Sequence, residues 1–221
     1  MRPIFIATRI IQLLACLLVC QTIVAVLLSF RDYFPPNFRS DFLLGRSGYF
    51  FGLYQWAFYA HILSGPFTLI AGLLLLSESF RRRAPQWHRR LGKAQIVVVL
   101  LVLAPSGLWM ARYATTGAVA AVGFAVLAVA TAACAAMGWR AAVGRRFDKH
   151  RQWMLRCFAL LCSAVVLRAI GGLSEVMDLH WTYPLAAWIS WLLPLAAVEA
   201  MRIVPRSASS GLALKTSAGT R

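Results

Sequence analysis

Six apolar runs of roughly span length dominate the chain: about 10–30, 50–76, 94–111, 118–138, 153–172 and 182–202. A bilayer's hydrocarbon core is about 30 Å thick and takes roughly 20 residues of α-helix to cross. Each run is thus suited to one crossing. Helix is the only economical conformation for such runs, because a backbone in lipid must pair its N–H and C=O groups within its own segment. Composition agrees, with 60% of the 221 residues hydrophobic and 14% charged, against roughly 45–50% and about 25% in soluble domains. The expected fold is all-α: a polytopic integral membrane bundle of six transmembrane helices forming one domain over residues 1–206. A Ser/Ala/Gly-rich tail, 207–221, is expected to be disordered. The first run opens like a signal peptide, "RIIQLLACLLVCQ", but continues to Phe30. That exceeds the usual signal core of about 7–15 residues, so it reads as a retained helix.

The net charge is +16, yet the cations fall in short clusters between the apolar runs. Such clusters set topology; they do not form one phosphate-binding face, so nucleic acid is not an expected partner. Arg81, Arg82, Arg83, Arg89, Arg90 and Lys93 crowd the second separator, and Arg140, Arg145, Arg146, Lys149 and Arg151 the fourth. The fifth separator carries Glu175 and Asp178 and no cation. The positive-inside bias therefore places both termini and the basic separators in the cytoplasm. The five cysteines lie in apolar runs without metal-ligand spacing and read as small buried hydrophobes. No phosphate-binding glycine loop, zinc-binding "HExxH" or nucleophile elbow occurs.

Polar residues inside the spans are the candidates for function. His61 shares a helical stripe with Ser64, Gly65, Thr68 and Gly72, which turns it toward the bundle interior or toward an interhelical hydrogen bond. In the fifth span His150, Met154, Cys157, Leu161, Ala164, Arg168 and Gly171 follow one face. That face runs from His150 at the basic end to Arg168 about 27 Å away along the axis. Arg168 either snorkels to lipid phosphates or points inward toward Glu175, Asp178 or an acidic ligand. Arg156 and Glu199 sit at similar depth on the fifth and sixth spans and are expected to pair. His88 and His150 lie near the starts of the third and fifth spans, both running inside to outside, hence at one depth. Two imidazoles so placed suit axial ligation of a haem, a metal or a quinone contact, or they meet lipid phosphates among the flanking arginines.

The stretches "HILSGPFTLIAGLLLL", "PQWHRRLGK", "KHRQWMLRCFALLCSAVVLRAIGG" and "YPLAAWISWLLPLAAVEAMR" resemble the bacterial membrane family numbered 2306 among domains of unknown function. The likeness covers about residues 50–202, with the block His150 to Arg168 its most specific part, and departs from the family pattern at Gln95. It implies a multi-pass protein of the bacterial inner membrane and no particular activity. A fold-level resemblance to six-helix transmembrane cytochromes b implies one haem b between His88 and His150, with a quinone or membrane redox partner. The fourth span lacks the histidine that a second haem would need. Three readings stay open: a one-haem redox protein, a small-solute or proton carrier built on His61 and Arg168, and a structural membrane partner. Oligomeric state is not legible.

Overall fold

The computed structural model describes residues 2–40, 42–115, 117–178 and 183–203. The expected tail 207–221, together with His180 and Trp181, lies outside them. Six long helices carry the chain: α1 (Arg2–Ser29), α2 (Leu53–Leu76), α3 (Pro85–Ala111), α4 (Ala118–Val143), α5 (Phe147–Val176) and α6 (Tyr183–Ile203). All six contain a stretch long and apolar enough to cross a bilayer, and no strand forms among the described residues. The fold is an all-α membrane bundle, and its outer surface is apolar, with Leu17, Leu101, Val129 and Leu193 among the exposed side chains. In a membrane those side chains face acyl chains and need no further cover.

Local chemistry explains where the helices start and bend. Pro85 occupies the first turn of α3, where its missing N–H is no loss. Val99–Leu103 then adopts a π-helical turn before the α-helix resumes at Ala104. Pro105 follows directly, and its ring cannot be accommodated against the carbonyl of Leu101 in a regular α-turn. The wider π-turn makes the room, as such turns do inside α-helices. In α5 the regular winding breaks at Cys162, whose carbonyl accepts from the N–H groups of both Val165 (2.9 Å) and Val166 (3.2 Å). Both irregularities lie in mid-span and change the faces that α3 and α5 present above them.

The helices alternate in direction, so the basic separators gather at one end of the bundle. At the other end, residues 30–40 and 42–52 form a cap whose Tyr33, Leu43 and Phe50 make a core with Tyr54 and Phe58 of α2. Arg46 holds the cap in place. It is only 7% exposed, and its Nε donates to the Phe42 carbonyl at 2.5 Å. Its Nη1 donates to the Tyr49 hydroxyl at 3.0 Å and to the Tyr113 carbonyl at 3.1 Å, which ties the α1–α2 segment to the end of α3. The Tyr59 hydroxyl adds a bond to the Tyr33 carbonyl at 2.8 Å.

Beneath the cap the spans associate by close packing of small residues, the usual means where lipid removes the hydrophobic drive. Gly72 of α2 meets the Phe158 ring of α5 so closely that a Cβ there would sit 2.5 Å from a ring carbon. Gly72→Val is expected to destabilise the bundle by about 1–3 kcal/mol through overpacking. Unfolding of the purified protein in mixed micelles checks this, with the surface change Leu101→Val as the reference.

Candidate functional site

All six helices and the cap line one open cavity of about 300 Å³. That volume lies at the lower end of the range for small-molecule sites, roughly 300–1,000 Å³. Its wall takes Thr22 from α1, His61 and Thr68 from α2, Leu103 and Gly107 from α3, Thr131 from α4, Arg168 from α5 and Ser190 from α6. Tyr33, Arg46 and Tyr54 form the wall toward the cap. The lining is mostly apolar, and among the described residues it holds two arginines and a histidine but no carboxylate.

His61 is held from α3. Its Nδ1 lies 3.3 Å from the Leu103 carbonyl and 3.2 Å from the Ser106 hydroxyl, while that hydroxyl donates to the same carbonyl at 3.0 Å. A carbonyl only accepts, so a hydrogen bond to Leu103 requires the proton on Nδ1, and in that tautomer the Nε2 lone pair is free. Leu103 is the last residue of the π-helical turn, so the irregular stretch of α3 supplies the acceptor that orients the ring. Gly107 gives the imidazole its space, since a Cβ at that position would lie 3.0 Å from the His61 Cε1. Gln95 is buried and donates from Nε2 to the Thr68 carbonyl at 3.0 Å. It fixes α3 against α2 just below.

Arg168 is the opposite case. Its side chain is exposed, Tyr33 lies within electrostatic range of it, and no carboxylate among the described residues forms an ion pair with it. The Ser190 hydroxyl, by contrast, is fully buried, with no partner among the described residues. The cavity therefore offers a cation, a free imidazole lone pair and an unpaired hydroxyl, all set in apolar walls. Sequence reasoning found His61 and Arg168 but not Arg46 or the tyrosines. The available signal was "FLLGRSGYF", an apolar stretch too short to span that carries a lone arginine.

The other expected residues lie toward the basic end. His150 Nδ1 is 2.9 Å from the Gly138 carbonyl of α4. His88 is within electrostatic range of His150, and its Nδ1 is buried without a hydrogen-bond partner among the described residues. Neither histidine lines the cavity. No cluster of three or more His, Cys, Asp or Glu side chains forms among the described residues. Arg156 and Glu199 pair through two bonds, 2.6 and 3.1 Å, and Glu199 also accepts from Arg202 at 2.9 Å. The Arg156 guanidinium lies over the Trp153 ring at 4.7 Å. These groups satisfy one another and tie α5 to α6.

The Arg156 and Glu199 side chains are 21% and 37% exposed, so solvent weakens their attraction. Glu199→Gln is expected to cost about 1 kcal/mol of stability. A double-mutant cycle with Arg156→Gln, read by unfolding in mixed micelles, should return a coupling of the same size and sign.

No curated protein and no solved structure is significantly similar to the chain. One family model does match, over residues 58–201, from the cap end of α2 to the last turn of α6. It therefore spans the helices that supply His61, Arg168, Arg156 and Glu199, and by that match the chain belongs to the predicted membrane protein family DUF2306.

Proposed function

We propose that the protein is a carrier or receptor, within the membrane, for a small amphiphile with an anionic head. One observation carries this reading: Arg168, inside a spanning helix, pairs with no carboxylate among the described residues, has Tyr33 in electrostatic range, and lines a cavity without carboxylates. An ionisable group in a membrane span is costly unless it is paired or hydrated, and it marks a ligand or ion path by default. A carboxylate or phosphate in the cavity would be drawn to Arg168, and its tail would lie along the apolar wall. The free Nε2 of His61 is placed to take a proton as such a head enters, which fits joint movement of an acid and its proton. The positive-inside bias puts the capped mouth on the outer face of a bacterial inner membrane, with both termini in the cytoplasm.

A second reading keeps the haem. The His150 ring is oriented through Nδ1 by a backbone carbonyl. Metal-ligating histidines commonly have that arrangement, which frees Nε2. His88, with its own Nδ1 buried and without a partner among the described residues, is near. A haem held by both would give a Soret band that His88→Ala and His150→Ala each abolish, whereas the carrier reading expects no such band.

Binding of labelled decanoate to the full-length protein in nanodiscs tests the favoured reading, with decanol as the uncharged control. Arg168→Gln is expected to weaken decanoate binding at least tenfold, about 1.4 kcal/mol, while decanol binding is unchanged. Equal decanoate affinity for both proteins would contradict it.

A further inference from the structure

A second concave site lies at the opposite end of the bundle, where α4 hands over to α5. The handover is tight. The Arg146 N–H donates to the Ala141 carbonyl at 2.8 Å and the Arg145 N–H to the Ala142 carbonyl at 3.0 Å. Arg145 itself has φ 55°, the left-handed geometry that usually calls for glycine. This is the paired-bond ending of a helix, and it folds the chain back so that the Arg146 backbone lies against the last turns of α4. Arg140, Arg146 and Lys149 thereby rim one pocket, whose remaining wall includes Met137, Ala141 and Trp153. Its volume is about 430 Å³.

Charge accounting marks this corner as uncompensated, as it does Arg83, Arg89, Arg90 and Lys93 of the other separator; the partly apolar pocket is what adds room for a lipid body. One helix face away, Glu199 takes up both Arg156 and Arg202, and Gln152 accepts from Arg202 at 3.0 Å. At the other basic separator Glu78 pairs with Arg82 and lies 3.6 Å from Arg81, and the Arg82 bond holds the Glu78 carboxyl below the usual carboxylate range. Arg140, Arg146 and Lys149 have no carboxylate partner among the described residues, although Asp148 is adjacent in sequence. Three exposed, uncompensated cations around a partly apolar pocket at the end of spanning helices match the two halves of an anionic phospholipid, a phosphate head on a hydrocarbon body. Soluble phosphate offers nothing to Met137, Ala141 and Trp153.

We propose that this corner is a binding site for the phosphate head of an anionic phospholipid, with Arg140, Arg146 and Lys149 as the phosphate contacts and Trp153 packed against the lipid body. Basic pockets between spanning helices are suited to such heads, each nearby cation adding attraction over a short screening distance. The site is independent of the cavity around Arg168 and stands whether or not that cavity binds an amphiphile.

Native mass spectrometry of the full-length protein, released from nanodiscs containing phosphatidylcholine and phosphatidylglycerol, tests the proposal. The unaltered protein should retain phosphatidylglycerol in preference to phosphatidylcholine. The triple change Arg140→Gln, Arg146→Gln, Lys149→Gln should cut phosphatidylglycerol retention at least tenfold. The control triple Arg81→Gln, Arg82→Gln, Arg83→Gln removes the same charge from the other separator and should change retention less than threefold. Equal losses in the two triples would overturn the site in favour of diffuse attraction. Two measurements on the unaltered protein do not depend on how the variants fold. Absence of any phosphatidylglycerol preference overturns the proposal. So does displacement of the lipid by inorganic phosphate at millimolar concentration, which would assign the corner to a soluble anion.

Discussion

A guanidinium inside a membrane-spanning helix has to find an anion, a carbonyl or water, and the arrangement of this bundle turns on how Arg168 meets that demand. The residue lies eight positions before the end of α5, roughly 12 Å along the axis. None of the described side chains neutralises it. The chain instead places it on the wall of a cavity, with the cap at the same end of the bundle. Arg156, in the same helix, meets Glu199 and is silent by comparison. Of the two arginines in the apolar part of α5, Arg156 is paired with a carboxylate and Arg168 is not, and Arg168 is where ligand chemistry has something to act on.

The shape of the cavity wall draws on one helix irregularity, one glycine contact and one buried cation. The π-helical turn before Pro105 presents the Leu103 carbonyl to His61, and Gly107 leaves the ring its place. Arg46, spent on three carbonyl and hydroxyl contacts, pins the cap to the α3 end. Around these, glycine contacts such as Gly72 against Phe158 keep the helices close while the centre stays open. Mid-span π-turns recur at functional sites, and this one orients the histidine that faces the cavity.

Much of this was legible in the residues. Apolar run length alone gives six spans, because lipid leaves the backbone only one economical conformation. The small stripe Ser64, Thr68 and Gly72 marks the inward face of α2, and all three are buried. The shared depth of Arg156 and Glu199 follows from counting residues into two antiparallel spans. The cap was not legible: its aromatic residues have no period, and its anchor joins Arg46 to Tyr113 across 67 positions. Helix rotation was not legible either. Arg168 follows the stripe of His150 in a regular helix, but the break at Cys162 intervenes.

The most direct test of a ligand site at Arg168 is a density map of the full-length protein in nanodiscs made from its own membrane lipids. A bound amphiphile gives elongated density inside the cavity, its head in contact with Arg168 and its body running along the apolar wall toward Ser190 and Thr131. A cavity that holds only ordered water, with the Arg168 side chain extended to the lipid headgroups, would contradict the carrier reading and leave Arg168 an interfacial anchor.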